Sequence, residues 1–126
     1  MCGFCGFITY DKNRNNLDIL KNITELIKRR GPDSKGYYAD NSNRIYLGHR
    51  RLSILDLSAN GNQPMIDFSK NFILGFNGEI YNHLELRELF SKNYPWNGMS
   101  DTETLLMLLI KIGVKKTLEK IEGMFS

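Results

Sequence analysis

Met1-Cys2-Gly3-Phe4-Cys5-Gly6-Phe7-Ile8-Thr9-Tyr10 opens the chain, and what these residues become decides what the remainder has to complete. Phe4, Phe7, Ile8 and Tyr10 predict a strand that starts almost at the first residue. Cys2 stands directly behind the initiator methionine, and its small side chain predicts removal of Met1 and a cysteine with a free α-amine. Such an amine titrates at about 7.7–8.0 and a thiol at about 8.5, so a base and a nucleophile would belong to one residue. Threonine with an N-terminal amine is activated in this way. Cys2 is therefore the candidate nucleophile for acyl transfer. The spacing Cys2-x-x-Cys5 also invites a redox or zinc reading. On a strand, however, residues three apart point to opposite faces, and His49 and His83 stand alone in the sequence, so neither chemistry is expected and no metal site is assigned.

The 126 residues suit one domain with a real core. Hydrophobic residues make up 41% and charged residues 25%, as in ordinary globular proteins. A net charge of +3 with interleaved signs argues against nucleic acid or a membrane as partner. The basic cluster Lys28-Arg29-Arg30 predicts a solvated face. Leu105 to Ile110 is too short to cross a bilayer, and the N-terminus lacks the charged and long apolar regions of a secretion signal. Two cysteines make no disulfide framework, and a cytoplasmic, reducing setting is the expectation.

Outward from the first strand, Asp11–Asn16 predicts a polar turn, and Asn16 or Asp18 a helix cap. The helix would run to about Arg30, with Ile19, Leu20, Ile23, Leu26 and Ile27 as its core stripe, until Gly31-Pro32-Asp33 stops it. Residues 37–39 and 44–48 predict a hairpin turning at Asp40–Asn43. Phe72–Phe76 predicts an interior strand ended by a tight turn at Asn77-Gly78. A helix is expected over His83–Phe90 on Leu84, Leu86, Leu89 and Phe90, and Ser91–Gly98 is expected as a loop. Ser100 with Glu103 predicts a capping box before a buried helix, Leu105–Ile112, which Gly113 ends. Lys115–Glu122 forms a last short helix, and Gly123-Met124-Phe125-Ser126 stops as an apolar segment begins, predicting a truncated chain. Irregular alternation of strands and helices, with a hairpin, predicts an α+β fold of antiparallel or mixed sheets covered by helices.

The opening Cys-Gly-Phe-Cys-Gly resembles the start of class II glutamine amidotransferase domains. Further stretches resemble the asparagine synthetase branch of that family: Arg30-Gly31-Pro32-Asp33, Arg51-Leu52-Ser53-Ile54-Leu55-Asp56, Gln63-Pro64-Met65, Asn77-Gly78-Glu79-Ile80-Tyr81-Asn82 and Ser100-Asp101-Thr102-Glu103. They occur in the right order along the whole chain. The resemblance implies an N-terminal-nucleophile sandwich with α-β-β-α layers, incomplete at its C-terminus. It implies L-glutamine as substrate, hydrolysed to glutamate and ammonia through a γ-glutamyl thioester on Cys2. Arg51 would clamp the α-carboxylate, while Asp101, with Glu79 as second acceptor, would meet the α-ammonium. Asn77 and the Gly78 N–H would hold the oxyanion, and Leu52, Ser53, Ile54 and Leu55 would border the pocket. Arg30 and Asp33 would fix the loop beside the site rather than touch substrate.

The chain departs from the family pattern at Arg29, where histidine is common, and at the extra thiol Cys5. It also holds no glycine- and serine-rich pyrophosphate loop. No cofactor is expected here, and ATP and Mg would belong to a separate synthetase domain acting in cis. A homodimer is compatible with the family. Two rivals stand beside an asparagine synthetase-like glutaminase: an amidotransferase domain feeding another acceptor, as in amino-sugar or surface-polysaccharide synthesis, and an inactive binding module of the same fold.

Overall fold

The computed structural model describes residues 2–11, 15–90 and 93–126. Met1, half of the Asp11–Asn16 turn and the start of the Ser91–Gly98 loop lie outside them. The element order is β1 (Gly3–Ile8), α1 (Asn16–Leu26), β2 (Ser34–Asp40), β3 (Ile45–Arg51), β4 (Met65–Ile66), β5 (Ile73–Leu74), β6 (Gly78–Ile80), α2 (His83–Phe90), α3 (Asp101–Leu118) and β7 (Gly123–Phe125). The fold is α+β, and every ladder is antiparallel: β1-β3-β2, β4-β5 and β6-β7.

Register decides which side chains can meet. Cys5 lies opposite Gly48 and Phe7 opposite Tyr46; the two rings stack with centroids 4.9 Å apart. This face of the sheet is covered by α1, where Thr24 and Cys5 crowd Gly48. Phe4 and His49 form the next register pair and so occupy the opposite face. There a second strand layer packs: a Cβ at Gly36 would overlap the Gln63 carbonyl, and His49 Nε2 sits 3.0 Å from the Phe76 carbonyl oxygen. Beyond that layer α2 and α3 enclose the core of Phe76, Ile80, Leu86, Leu105, Leu108 and Ile121. Helix, sheet, strands and helices thus stack in the expected order.

Several expectations are corrected in detail. The cap of α1 is Asn15, whose side chain accepts from the Asp18 N–H, and α1 ends at Leu26 with a 3-10 turn over Lys28–Arg30 following. Its buried face centres on Leu20 and Thr24. Leu26, about 200° round the helix from Thr24 at 100° per residue, is 83% exposed rather than core. The α2 helix buries His83, Leu86 and Arg87 and leaves Leu84 and Leu89 in solvent, so its inward face holds a cation that apolar periodicity could not find. The Phe72–Phe76 run contributes only Ile73 and Leu74 to a ladder. Phe76 leaves it because its N–H donates to Gln63 Oε1 at 2.7 Å instead.

Asn77-Gly78 is no turn. It enters β6, where Gly78 lies against Phe125 so closely that a Cβ would overlap Phe125 and the Met124 carbonyl. The capping box is half formed: Ser100 Oγ accepts from the Glu103 N–H at 3.2 Å, but the Glu103 carboxylate turns to the N–H groups of Asn97 and Gly98. As expected, the apolar helix breaks at Gly113, whose φ +79° and ψ 167° are non-helical, and a second short helical segment runs on to Leu118; the apolar end, Gly123–Phe125, is a strand. No helix among the described residues is long and apolar enough to cross a membrane.

Candidate active site

One wall of the site grows from the edge of β1 and the end of β3. Gly3 pairs with Arg50, so Cys2 falls beside Arg51, on the sheet face turned away from α1. The Leu52 N–H donates toward Cys2 Sγ at 3.3 Å, and the Leu52 carbonyl oxygen lies 3.6 Å from the same sulfur. Arg30 Nε donates to the Cys2 carbonyl at 3.0 Å, and Asp33 Oδ2 accepts from the Ser53 N–H at 2.8 Å. Both residues hold backbone in place, as the sequence reading expects. Cys5 points the other way, its sulfur 3.4 Å from Thr24 Oγ1.

Arg51 is buried and wrapped by the segment that follows it. Nη1 donates to the Ser58 carbonyl at 2.7 Å and Asn62 Oδ1 at 3.3 Å, and Nη2 donates to the Asp56 carbonyl. Gly61 lies flat against the guanidinium, where any Cβ would overlap Nη2. A buried cation is tolerable only when its donors are met, and here backbone carbonyls meet them without cancelling its charge. Burial keeps the neighbouring His49 below the usual histidine range, and the Arg51 charge pushes it the same way.

The opposite wall comes from β6 and the start of α3. Asn77 and Ser126 exchange N–H···O bonds at 3.1 and 2.8 Å. Donor directions alternate along an antiparallel strand, so the Gly78 N–H turns from β7 toward the cleft side, as does that of Ile80. The Ile80 N–H donates to Asp101 Oδ2 at 2.9 Å, while Asp101 Oδ1 accepts from the Thr102 N–H at 2.8 Å. Asp101 is the first residue of α3, where the helix dipole favours a carboxylate.

The walls enclose a cleft of about 90 Å³, several times the roughly 10–15 Å³ that a water molecule requires. Cys2, Arg51, Leu52, Gly78, Glu79 and Asp101 all line it, with Ile54 and Leu55 at its edge. A thiol, a cation and three carboxylates, Asp56, Glu79 and Asp101, thus share one small concavity. Such an arrangement fits a zwitterion whose third arm reaches sulfur.

A family model described as a glutamine amidotransferase domain matches residues 1–126. The chain belongs to the glutamine amidotransferase domain family. Among similar proteins, a Bacillus subtilis protein named asparagine synthetase (glutamine-hydrolysing) 1 is 40% identical over 130 residues, covering 100% of this chain and 20% of its own length. Asparagine synthetase B of Escherichia coli is 37% identical over 129 residues, covering 100% of this chain and 22% of that protein. A Gibberella zeae protein named amidase chry2 is 32% identical over 124 residues, covering 90% of the chain and 18% of the relative. The chain therefore spans about a fifth of the length of these relatives.

Within this glutamine amidotransferase domain, two expected site residues stand off the cleft. Ser53 faces the outer side of the loop, near Asp33. Asn77 does not line the cleft; its Nδ2 is 3.5 Å from Ser126 Oγ and its Oδ1 is buried without a partner. A half-turn of the carboxamide would place a donor where Oδ1 now lies. Conversely, Asp56, Gly61, Gln63, Ser100, Thr102 and Met124 line the cleft without having been assigned to it. Gln63 links the walls, accepting from the Phe76 N–H and donating to Thr102 Oγ1 at 3.3 Å. The loop composition of Asn60–Pro64 concealed that role, and nothing local in Met124 signals it.

Proposed function

We propose that this domain hydrolyses L-glutamine to glutamate and ammonia, as the glutaminase part of an asparagine synthetase-like protein. One observation carries the proposal: Cys2, Arg51, Glu79 and Asp101 line the same cleft. The α-carboxylate of glutamine pairs with Arg51, whose planar guanidinium suits a carboxylate. Asp101 and Glu79 receive the α-ammonium. These anchors aim the side-chain amide at Cys2.

Removal of Met1 frees the Cys2 amine to accept the thiol proton, directly or through a water. The thiolate adds to the amide carbonyl, and the Gly78 N–H, with the Asn77 carboxamide turned inward, meets the oxyanion. A preorganised donor of this kind is worth about 2.7–4 kcal/mol of barrier. The amide nitrogen takes the proton and leaves as ammonia. Water then cleaves the thioester, releasing glutamate and restoring the thiol. No cofactor enters these steps. ATP and Mg belong to a synthetase domain in cis that receives the ammonia, and the cytoplasm is a setting that keeps Cys2 reduced.

The amidase name of a relative at 32% identity favours a second reading, in which the same glutaminase chemistry serves an acceptor other than aspartate. The direct test measures the mature N-terminus by mass spectrometry and ammonia release from L-glutamine. Cysteine at the first position and loss of release in Cys2→Ala are expected. A retained methionine with full activity, or normal turnover by Cys2→Ala, would reject the mechanism.

A further inference from the structure

Asp101 is delivered to the cleft by residues 97–100, which belong to no helix or strand. Side chains before and after it in the chain hold this segment in place of a ladder. Glu103 accepts from the N–H groups of Asn97 and Gly98 at 2.8 and 3.0 Å. Asp56 Oδ2 accepts from the Met99 N–H at 2.9 Å, and Gly98 lies so close to that carboxylate that a Cβ would overlap it. Arg87 donates from Nη1 to the Gly98 carbonyl at 2.8 Å and from Nη2 to the Ser100 carbonyl at 2.7 Å. Its Nε donates to Thr104 Oγ1 at 2.7 Å, and Trp96 stacks on the guanidinium with its ring centroid 3.9 Å away.

The other end of this scaffold is Arg51, which donates to the Asp56 backbone carbonyl. A continuous path therefore runs from Arg51 through Asp56 to Met99, and from Gly98 and Ser100 through Arg87 into the first turn of α3. Asp56 and Arg87 are both buried, and the Arg87 bonds to Thr104 and Ser100 lie away from water.

We propose that Asp56 and Arg87 are positioning residues that set the spacing of Arg51 from Asp101, and thereby the pose of an α-amino acid between them. The proposal rests on the glutamine reading of the cleft. A carboxylate and an ammonium on one carbon must meet their partners together, so a small drift of Asp101 away from Arg51 costs the ammonium contact. The carboxylate contact and the chemistry at Cys2 stay as they were. The predicted defect is specific to ligands that carry the α-amine.

The test uses the intact protein that carries this domain, with Asp56→Asn, Arg87→Lys and, as a control, Asp67→Asn. Asp67 ties a turn in the same way, to Ser69 and Phe72, but in the β4–β5 hairpin. Ammonia release gives kcat and KM for L-glutamine, and competition gives the inhibition constant of glutaramate, which lacks only the α-amine. For Asp56→Asn and Arg87→Lys, KM for L-glutamine should rise about tenfold, the factor that corresponds to about 1.4 kcal/mol, while kcat and the glutaramate constant stay within about twofold. Asp67→Asn should leave the ratio of the two constants unchanged. Parallel weakening of both ligands, or no change in either, would overturn the strut. Wild-type protein that releases no ammonia from L-glutamine would instead refute the glutamine reading itself.

Discussion

The two walls of the cleft are built by different means. The Arg51 part of the first wall is local: the guanidinium is enclosed by Asp56, Ser58, Gly61 and Asn62, residues that follow it closely in the chain, while Cys2 reaches it across the β1–β3 ladder. The Gly78–Asp101 wall is a meeting of remote pieces, with β6 held by β7 and Asp101 held by the Ile80 N–H. The difference teaches that one binding site can have one self-contained half and one half that exists only when the whole chain is folded. Changes around Arg51 should act on ligand binding; changes at β6, which packs on β7, should damage the fold and turnover together.

The largest effect that would separate the walls is Gly78→Ala. A Cβ there overlaps β7, so kcat for ammonia release should fall by a factor on the order of 10² or more, the usual cost of a lost oxyanion donor, and the urea midpoint should fall with it. A stable Gly78→Ala protein with normal kcat would contradict the remote-wall account. Next is Arg51→Ala, which should raise KM for glutamine by about 10- to 100-fold, from loss of a charge-assisted bond of about 1.5–3 kcal/mol. An unchanged KM would remove the carboxylate clamp.

Gly61→Ala sharpens the local wall, because the added methyl group must displace the Arg51 guanidinium. KM should rise about tenfold, with the urea midpoint nearly constant; an unshifted KM would show that the guanidinium is not seated against Gly61. A smaller effect is expected from pH. His49 joins the first wall to the second at the Phe76 carbonyl, and burial lowers its pKa. The unfolded chain then binds the proton more readily, so stability is full above about pH 6.5 and is lost as pH falls below it. Burial lowers His83 likewise. Urea midpoints at pH 7.5 and 5.5 should differ less in His49→Gln than in the wild type, and an equal difference would exclude His49 as a source. The least effect belongs to Cys5→Ser, which keeps a hydroxyl partner for Thr24 and should alter ammonia release by less than about twofold and stability within about 1 kcal/mol. A large loss of activity would mean that Cys5 acts at the cleft and not only under α1.

What was legible follows the same division. Arg51 and the loop after it are recognisable because their contacts lie close in sequence, and Cys2 because it directly follows Met1. The hairpin of β2 and β3 and the α2 span were legible too, since turn residues and hydrophobic spacing are local signals. Asn77-Gly78 was misread as a turn because that dipeptide favours turns in isolation. Here the glycine serves close packing against Phe125, a partner far along the chain. The expected faces of α1 and α2 hold at Leu20 and Leu86, but Leu26, Leu84 and Leu89 are exposed, and tertiary contact buries Thr24, His83 and Arg87 instead.

The amino-acid order alone determined the α+β character and the family, and marked Cys2 as the candidate nucleophile together with the charged groups that a zwitterion would need. Tertiary structure decided which of those groups share a cleft, that Ser53 and Asn77 stand off it, and that Asp56, Gln63 and Arg87 tie its parts together. The physical reason is the range of the interactions. Propensities and motifs act over a few residues, whereas the direction of a strand's N–H groups and the partner of a buried charge are set by whichever segment packs alongside.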